Sequence, residues 1–426
     1  MNKSSFDTVN PHYLENVMRA ADQHDVVAGE DIHNAAGIKL VAKGQRIDQN
    51  MRERLVRFKL REPLERSLTV NAGIGAADIL AEAHALLDTG TSLAALFRAK
   101  GSSKRALSVL EELRFDQIGT LLLSMQNGIG TLQHSVLVSL LGLAFCIGLD
   151  KGYSALGDVA LAGLLHDVGE LYINPEYLKS GRKLLPEEWK HIAVHPHIGQ
   201  LVIGEVAGWP QSIAVSIGEH HERVNGFGYP RHLAGDAISP LGKVLLTCEA
   251  LCGLLVKEKH PVERACLAAK LIPGEYPFEM VSLIADLPSG ADLSNQDSAQ
   301  APTAVELITR IERVAATIET AITRIEDLRR MEWITPCIAF LDHTHKYLLM
   351  LRGALYHTGL SPCYQVETLK GQDGAPGIAL ELEVVISEIE WRLCELTRQI
   401  TLIKPSLEED LQTRLDGDVI PCLVLA

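Results

Sequence analysis

The chain has 426 residues, 47% of them hydrophobic and 22% charged, with a formal net charge of −14. That length exceeds one ordinary core, so two or three domains of typical globular composition are expected. The acidic balance excludes a dedicated DNA- or RNA-binding face, which needs basic charge, but not a small anion held against a local cation.

Residues 1–75 read as a small α+β module. Asp25-Val26-Val27 and Ile38-Lys39-Leu40-Val41 are short apolar runs broken by Gly29, Gly37 and Gly44, the pattern of strands with tight turns. Ile47, Met51, Leu55 and Phe58 then fall at helical spacing over 47–59. The module holds no Gly-rich phosphate loop and no ligand cluster. Met1 to Asp7 lacks the apolar core of a signal peptide.

Residues 76–287 are almost wholly helical in pattern. Ile79–Phe97, Ala106–Met125, Val136–Leu149, Leu156–His166, Glu187–Val194, Ile213–His220 and Leu241–Val256 carry apolar residues at three- and four-residue intervals. This predicts a mainly α fold, a bundle into which polar side chains project from several helices. Val136–Leu149 is the most apolar stretch but falls short of the roughly 20 residues a membrane span needs, so a buried core helix is expected, with no membrane partner. Residues 288–303 are small and polar and read as a linker. Over 304–426 a helical C-terminal region follows. Val305, Ile308, Ile311, Ala315, Ile318, Ile322 and Ile325 form one stripe, and a second long helix runs from about Ala379 to Ile400. Such helices pack within the chain or form a homodimer interface. The 8 cysteines include no Cys-x-x-Cys pair, which points to reduced, buried thiols and a cytoplasmic setting. Cys248 and Cys252 share a helical face and read as core packing in preference to a metal role.

Two segments carry the chemistry. The first is His220-His221-Glu222-Arg223-Val224-Asn225-Gly226-Phe227-Gly228-Tyr229-Pro230. Adjacent imidazoles can serve separate ions or two sides of one cluster, and the glycines and proline end the helix in a rigid, surface-reaching loop. The second is Leu164-Leu165-His166-Asp167-Val168-Gly169-Glu170, in which Asp167 has two oxygens able to bridge two ions. Histidine and carboxylate ligands suit iron, manganese or zinc, and the lack of cysteine ligands argues against a purely structural zinc.

Together these segments resemble the HD-GYP family, a branch of the HD metal-dependent phosphohydrolases, over about His134 to Leu255. The resemblance implies an HD-type all-helical bundle and a phosphodiesterase that opens cyclic di-GMP to linear pGpG and on to GMP. It implies a metal set of His134 (followed by Ser135), His166, Asp167, His195 (followed by Pro196), His220, His221 and Glu249. His191 and His197, close to His195, fall outside the family register and read as surface residues. Two divalent ions, iron or manganese, are expected. Members with three carry a glutamate one turn before the leading histidine, where this chain has Gly130. The resemblance makes His166 and Asp167 the catalytic pair, with Asp167 bridging the ions and a bridging hydroxide as nucleophile. It places Glu170, Arg223, Gly226, Gly228, Tyr229 and Pro230 at the substrate, and makes the loop a docking surface for a cyclic di-GMP synthase.

The chain departs from the family pattern at three positions. Glu170 stands where a lysine meets the substrate phosphate. At about 4 Å and an effective dielectric near 20, one such contact is worth about 4 kcal/mol before screening. Arg182, Lys183 and Arg223 are the nearby cations able to substitute. Asn225 and Glu249 replace aspartates. The alternative readings are a degenerate member that regulates by binding nucleotide or protein, and an HD phosphohydrolase of another phosphate ester. No phosphoacceptor receiver pattern is present.

Overall fold

The computed structural model describes residues 6, 8–71, 73–88, 103–113, 121, 122, 125, 131–150, 156–179, 182, 184–255, 261–285, 303–357 and 376–424. Most of the expected linker, together with Gly130 and Lys183, lies outside them. The chain divides into two compact units, one of residues 1–256 and 276–287, the other of 257–275 and 288–426.

The first unit opens with α1 (Pro11–Gln23). Pro11 starts it with a preset φ, and the Asn10 side chain accepts from His12 N at 2.9 Å and Tyr13 N at 3.1 Å. This helix was not among the elements expected from the sequence. Strands β1 (Asp25–Ala28), β2 (Ile32–His33) and β3 (Lys39–Val41) come next, then α2 (Gln49–Arg57), capped by Asp48, and β4 (Leu68–Asn71). β1 pairs antiparallel with β4, setting Asp25 opposite Asn71 and Ala28 opposite Leu68, and β2 pairs with β3. The expected α+β module is therefore two small two-stranded antiparallel ladders flanked by helices. It packs on the helical part of the unit through Asn16, whose Nδ2 donates to Leu171 O at 3.1 Å, and through Tyr13, stacked on Tyr172 at 5.1 Å.

The rest of this unit is the expected helical bundle: α3 (Ala76–Asp88), α4 (Ser103–Glu112), α5 (Leu132–Gly148), α6 (Leu156–Leu165), α7 (Pro186–Ala193), α8 (His195–Leu201), α9 (Gln211–Ile217) and α10 (Pro240–Leu255). α5 is apolar on all sides, with every residue from Ser135 to Cys146 buried, so it forms the core against which α6 and α10 pack. Ser139 Oγ donates to Ala160 O at 3.0 Å and ties α5 to α6. Among the described residues, no helix is long and apolar enough to cross a membrane.

The second unit is built from α11 (Pro261–Leu271), α12 (Ala304–Arg329), α13 (Thr335–His357) and α14 (Pro376–Ile403), closed by short helices up to Leu423. Thr303 and Glu306 form a capping box at the start of α12. Of its predicted stripe, Ile311, Ala315, Ile318, Ile322 and Ile325 are buried within the unit, whereas Val305 is 73% exposed. The centre of the unit holds Arg392, which donates to Glu275 at 2.7 Å, Glu388 at 2.9 Å and Ala268 O at 3.2 Å.

Candidate metal centre

The ends of four helices and the middle of a fifth converge inside the first unit. His134 lies in the first turn of α5, where the Thr131 hydroxyl accepts its backbone N–H at 3.2 Å. His166 and Asp167 leave the C-terminal end of α6. His195 opens α8, His220 and His221 follow α9, and Glu249 projects from the middle of α10. Gly169 permits the convergence: a Cβ there would overlap the His195 carbonyl, so only glycine lets the turn after Asp167 lie against α8.

The ligand atoms form two groups that share one carboxylate. In the first, His134 Nε2 and His166 Nε2 stand 3.0 Å apart. Asp167 Oδ2 lies 3.4 Å from the one and 2.9 Å from the other. Glu249 Oε2 completes the group at 3.4 and 3.3 Å from the same nitrogens. In the second, His195 Nε2 and His220 Nε2 are 3.0 Å apart, and Asp167 Oδ1 lies 3.4 and 3.6 Å from them. His221 belongs to this group as well. Asp167 thus turns one oxygen to each group. All seven residues expected as ligands are brought together.

Three of the rings are oriented by backbone. His166 Nδ1 meets Gly163 O at 2.8 Å, His195 Nδ1 meets Ile192 O at 2.8 Å, and His220 Nδ1 meets Ile217 O at 2.6 Å. Each carbonyl lies three residues back, at a helix end where carbonyls lack intrahelical partners. A proton on Nδ1 is then fixed and Nε2 keeps its lone pair for an ion. His221 is held differently, its ring stacked on Tyr229 at 4.6 Å, with Trp189 edge-on to Tyr229 at 5.7 Å.

Whether a cation fits can be read from the polar atoms. Glu249 Oε2 is buried and has no hydrogen-bond partner. A buried carboxylate oxygen in that state is costly unless a cation compensates it. Protons partly fill that need within the cluster. Burial pulls His166 down, but the Asp167 charge outweighs it and lifts the imidazole to about 10. Burial likewise opposes protonation of His134, and the nearby Asp167, Cys252 and Glu249 raise it. Asp167, despite burial, is held well below the usual carboxylate range by His166 and its hydrogen bonds to three imidazoles. Burial takes His220 down to about 4 and keeps it a neutral donor of electrons. The site is thus a set of ionised carboxylates and inward nitrogens, able to hold metal.

The loop after His221 departs from expectation. A surface-reaching loop was expected, yet Gly226, Phe227, Gly228 and Tyr229 are buried. Two glutamates not singled out in the sequence draw it in. Glu222 accepts from Arg231 N at 2.8 Å and Leu233 N at 3.0 Å. Glu219 accepts from Ser239 N at 3.0 Å and Ser239 Oγ at 2.6 Å. A Cβ on Gly228 would run into the backbone of Glu222 and Arg223. The Tyr229–Pro230 peptide is cis. Asn225 Oδ1 accepts from Phe227 N at 3.1 Å, so asparagine retains the turn an aspartate would make.

Of the other expected substrate residues, Arg223 lies over the Tyr276 ring at 5.5 Å and donates to Glu222 O at 2.9 Å. Arg182 is engaged with Glu188 at 2.5 Å. Glu170 sits on the turn directly after Asp167. Burial, then the Asp167 charge, push its carboxyl up to about 7 against the opposing effect of His195 and His166. His191 and His197 are exposed. Cys252, read as a core residue, is buried as expected but places its sulfur 3.3 Å from His134 Nδ1.

Residues 122–258 match the HD domain family. A cyclic di-GMP phosphodiesterase of Pseudomonas aeruginosa is 31% identical over 142 residues, 33% of this chain and 34% of its own length. The 3'3'-cGAMP-specific phosphodiesterase 3 of Vibrio cholerae is 29% identical over 108 residues, 24% of this chain and 23% of its own. A cyclic di-GMP phosphodiesterase of Thermotoga maritima is 24% identical over 193 residues, 44% and 52% of the two chains. The chain therefore spans between about a quarter and a half of these relatives. Residues 122–258 of the bundle are an HD domain with a histidine–aspartate cluster able to bind metal. Over residues 122–258 the chain is thus similar to the HD domain family and to phosphodiesterases of cyclic dinucleotides.

Proposed function

We propose that this protein is a metal-dependent phosphodiesterase of cyclic dinucleotides, with cyclic di-GMP as its substrate and pGpG or GMP as product. The observation that carries the reading is Asp167, whose two oxygens each face a separate group of imidazole nitrogens. His134, His166 and Glu249 would hold one divalent ion with Asp167, and His195, His220 and His221 the other. Iron and manganese suit that nitrogen and oxygen donor set. Ions held there supply Lewis acidity and activate water for attack on phosphorus.

The chain's own residues do the rest. The helix-end carbonyls of Gly163, Ile192 and Ile217 keep protons on Nδ1 and the Nε2 atoms free. Tyr229, clamped by Trp189, holds the His221 ring, so the Gly-Tyr-Pro loop acts on the centre by positioning it. His166 and Asp167 stand nearest the reacting phosphate, with Gly226, Gly228 and Pro230 shaping the adjoining backbone. Docking of a cyclic di-GMP synthase on this loop, self-association through the C-terminal helices and a cytoplasmic location extend the proposal.

Glu170 favours a second reading. A half-buried acid three residues after Asp167 repels a substrate phosphate when ionised, and Arg182, a cation able to offset it, is paired elsewhere. A member that binds nucleotide without rapid turnover, or that cleaves a different phosphate ester, would tolerate it. Metal content by mass spectrometry, with cyclic di-GMP turnover on the same anaerobically purified sample, tests the two. About two ions per chain with pGpG or GMP formed supports the phosphodiesterase. Bound ions without turnover support the second reading, and no ion after iron or manganese reconstitution overturns both.

A further inference from the structure

His134 cannot be oriented as its partners are. His166, His195 and His220 follow helix ends and use orphan carbonyls three residues back. His134 begins a helix, where carbonyls are already taken: that of Thr131 accepts Ser135 N at 3.2 Å. Its Nδ1 instead meets Cys252 Sγ at 3.3 Å. Cys252 is 1% exposed and lies one helical turn beyond Glu249 on α10, so the same helix supplies a carboxylate to the first ligand group and a sulfur to its leading histidine.

We propose that Cys252 is the positioning residue of His134, its sulfur accepting the Nδ1 proton so that Nε2 faces the first ion. The opposite polarity, with the thiol donating to Nδ1, would place the ring proton on Nε2 and block ligation. The proposal rests on the two-ion reading above. Outer-shell partners of this kind typically contribute about 10–100-fold to metal affinity. The sulfur serves only one group, because Asp167 Oδ1, His195, His220 and His221 lie on the far side of the shared carboxylate.

Cobalt(II) titration of the EDTA-stripped full chain tests this, with visible d–d bands and chelator competition resolving the two sites. Cys252→Ala should weaken one site about 10–100-fold and leave the other as in wild type. Cys252→Ser, which keeps a polar acceptor, should recover part of the loss. It also decides the matter if the alanine variant does not fold. Cys248→Ala truncates a buried thiol on the same helix and should titrate as wild type. Identical titrations for wild type and Cys252→Ala overturn the proposal alone. Equal weakening by Cys248→Ala and Cys252→Ala shows a merely structural role and also overturns it. A wild-type chain that takes up no cobalt overturns it together with the metal reading.

Discussion

Two buried clusters of charge, one in each unit, follow opposite logic. In the second unit Arg392 is 1% exposed and lies between Glu275 and Glu388, so cation and carboxylates compensate one another within the protein. In the first, Asp167 and Glu249 are ringed by imidazoles, the Nε2 atoms of His134, His166, His195 and His220 pointing inward, and a buried Glu249 oxygen has no hydrogen-bond partner. A cluster that carries its own counter-charge is part of the architecture. A cluster whose donors converge on each other is shaped around something it does not itself contain. The two should therefore respond to different perturbations.

The largest effect is expected at the shared carboxylate. Asp167→Asn should lower cyclic di-GMP turnover on the order of 10³-fold or more and reduce ion loading, because it removes a charged ligand from both groups at once. Turnover and metal analysis on one preparation would show it, and a variant that still loads two ions and turns over normally would erase the contrast between the clusters. Arg392→Ala should instead cost about 3–5 kcal/mol of stability by stranding Glu275, with ion loading unchanged. Denaturant unfolding alongside metal analysis separates those outcomes. Removing metal with EDTA should reverse the pattern. At an ion concentration about 100 times Kd the lost stabilisation is about 2.7 kcal/mol, seen in the first unit only. The smallest expected change is a gain. Glu170→Lys should raise kcat/KM for cyclic di-GMP about tenfold, about 1.4 kcal/mol, and unchanged kinetics would place the substrate phosphate away from this residue.

The candidate ligands were legible because metal chemistry restricts residue type. Few side chains can stand where His166, Asp167, His220 and His221 stand, and their adjacency in sequence survives into the site. The helical bundle was legible for a similar reason, since α5 and α10 advertise burial in every turn. The orientation of the ligands was not legible. The carbonyls of Gly163, Ile192 and Ile217 belong to backbone and carry no residue signature. Cys252 reads as an ordinary core residue, and only its place one turn past Glu249 hints at more. The inward course of the Gly-Tyr-Pro loop depends on Glu219 and Glu222, whose charge predicts exposure unless their backbone partners at Arg231, Leu233 and Ser239 are known. α1 escaped notice although Asn10 and Pro11 mark its start and Tyr13, Leu14, Val17, Met18 and Ala21 fall at helical spacing on its buried face. Arg392 meets Glu275 across 117 positions of chain, a pairing that local periodicity does not reveal.

The anchoring of three imidazoles on carbonyls at helix ends has a consequence for how the protein breathes. Helix ends fray first, and their amides are ordinarily among the quickest to exchange with solvent. Here, unwinding the last turn of α6, α7 or α9 would also release the ring bonded to Gly163, Ile192 or Ile217, and with it a ligand. An ion gripped by those rings ties the last turns of three helices shut, and loading should shift their amides from the rapidly exchanging class to the slowest in the domain.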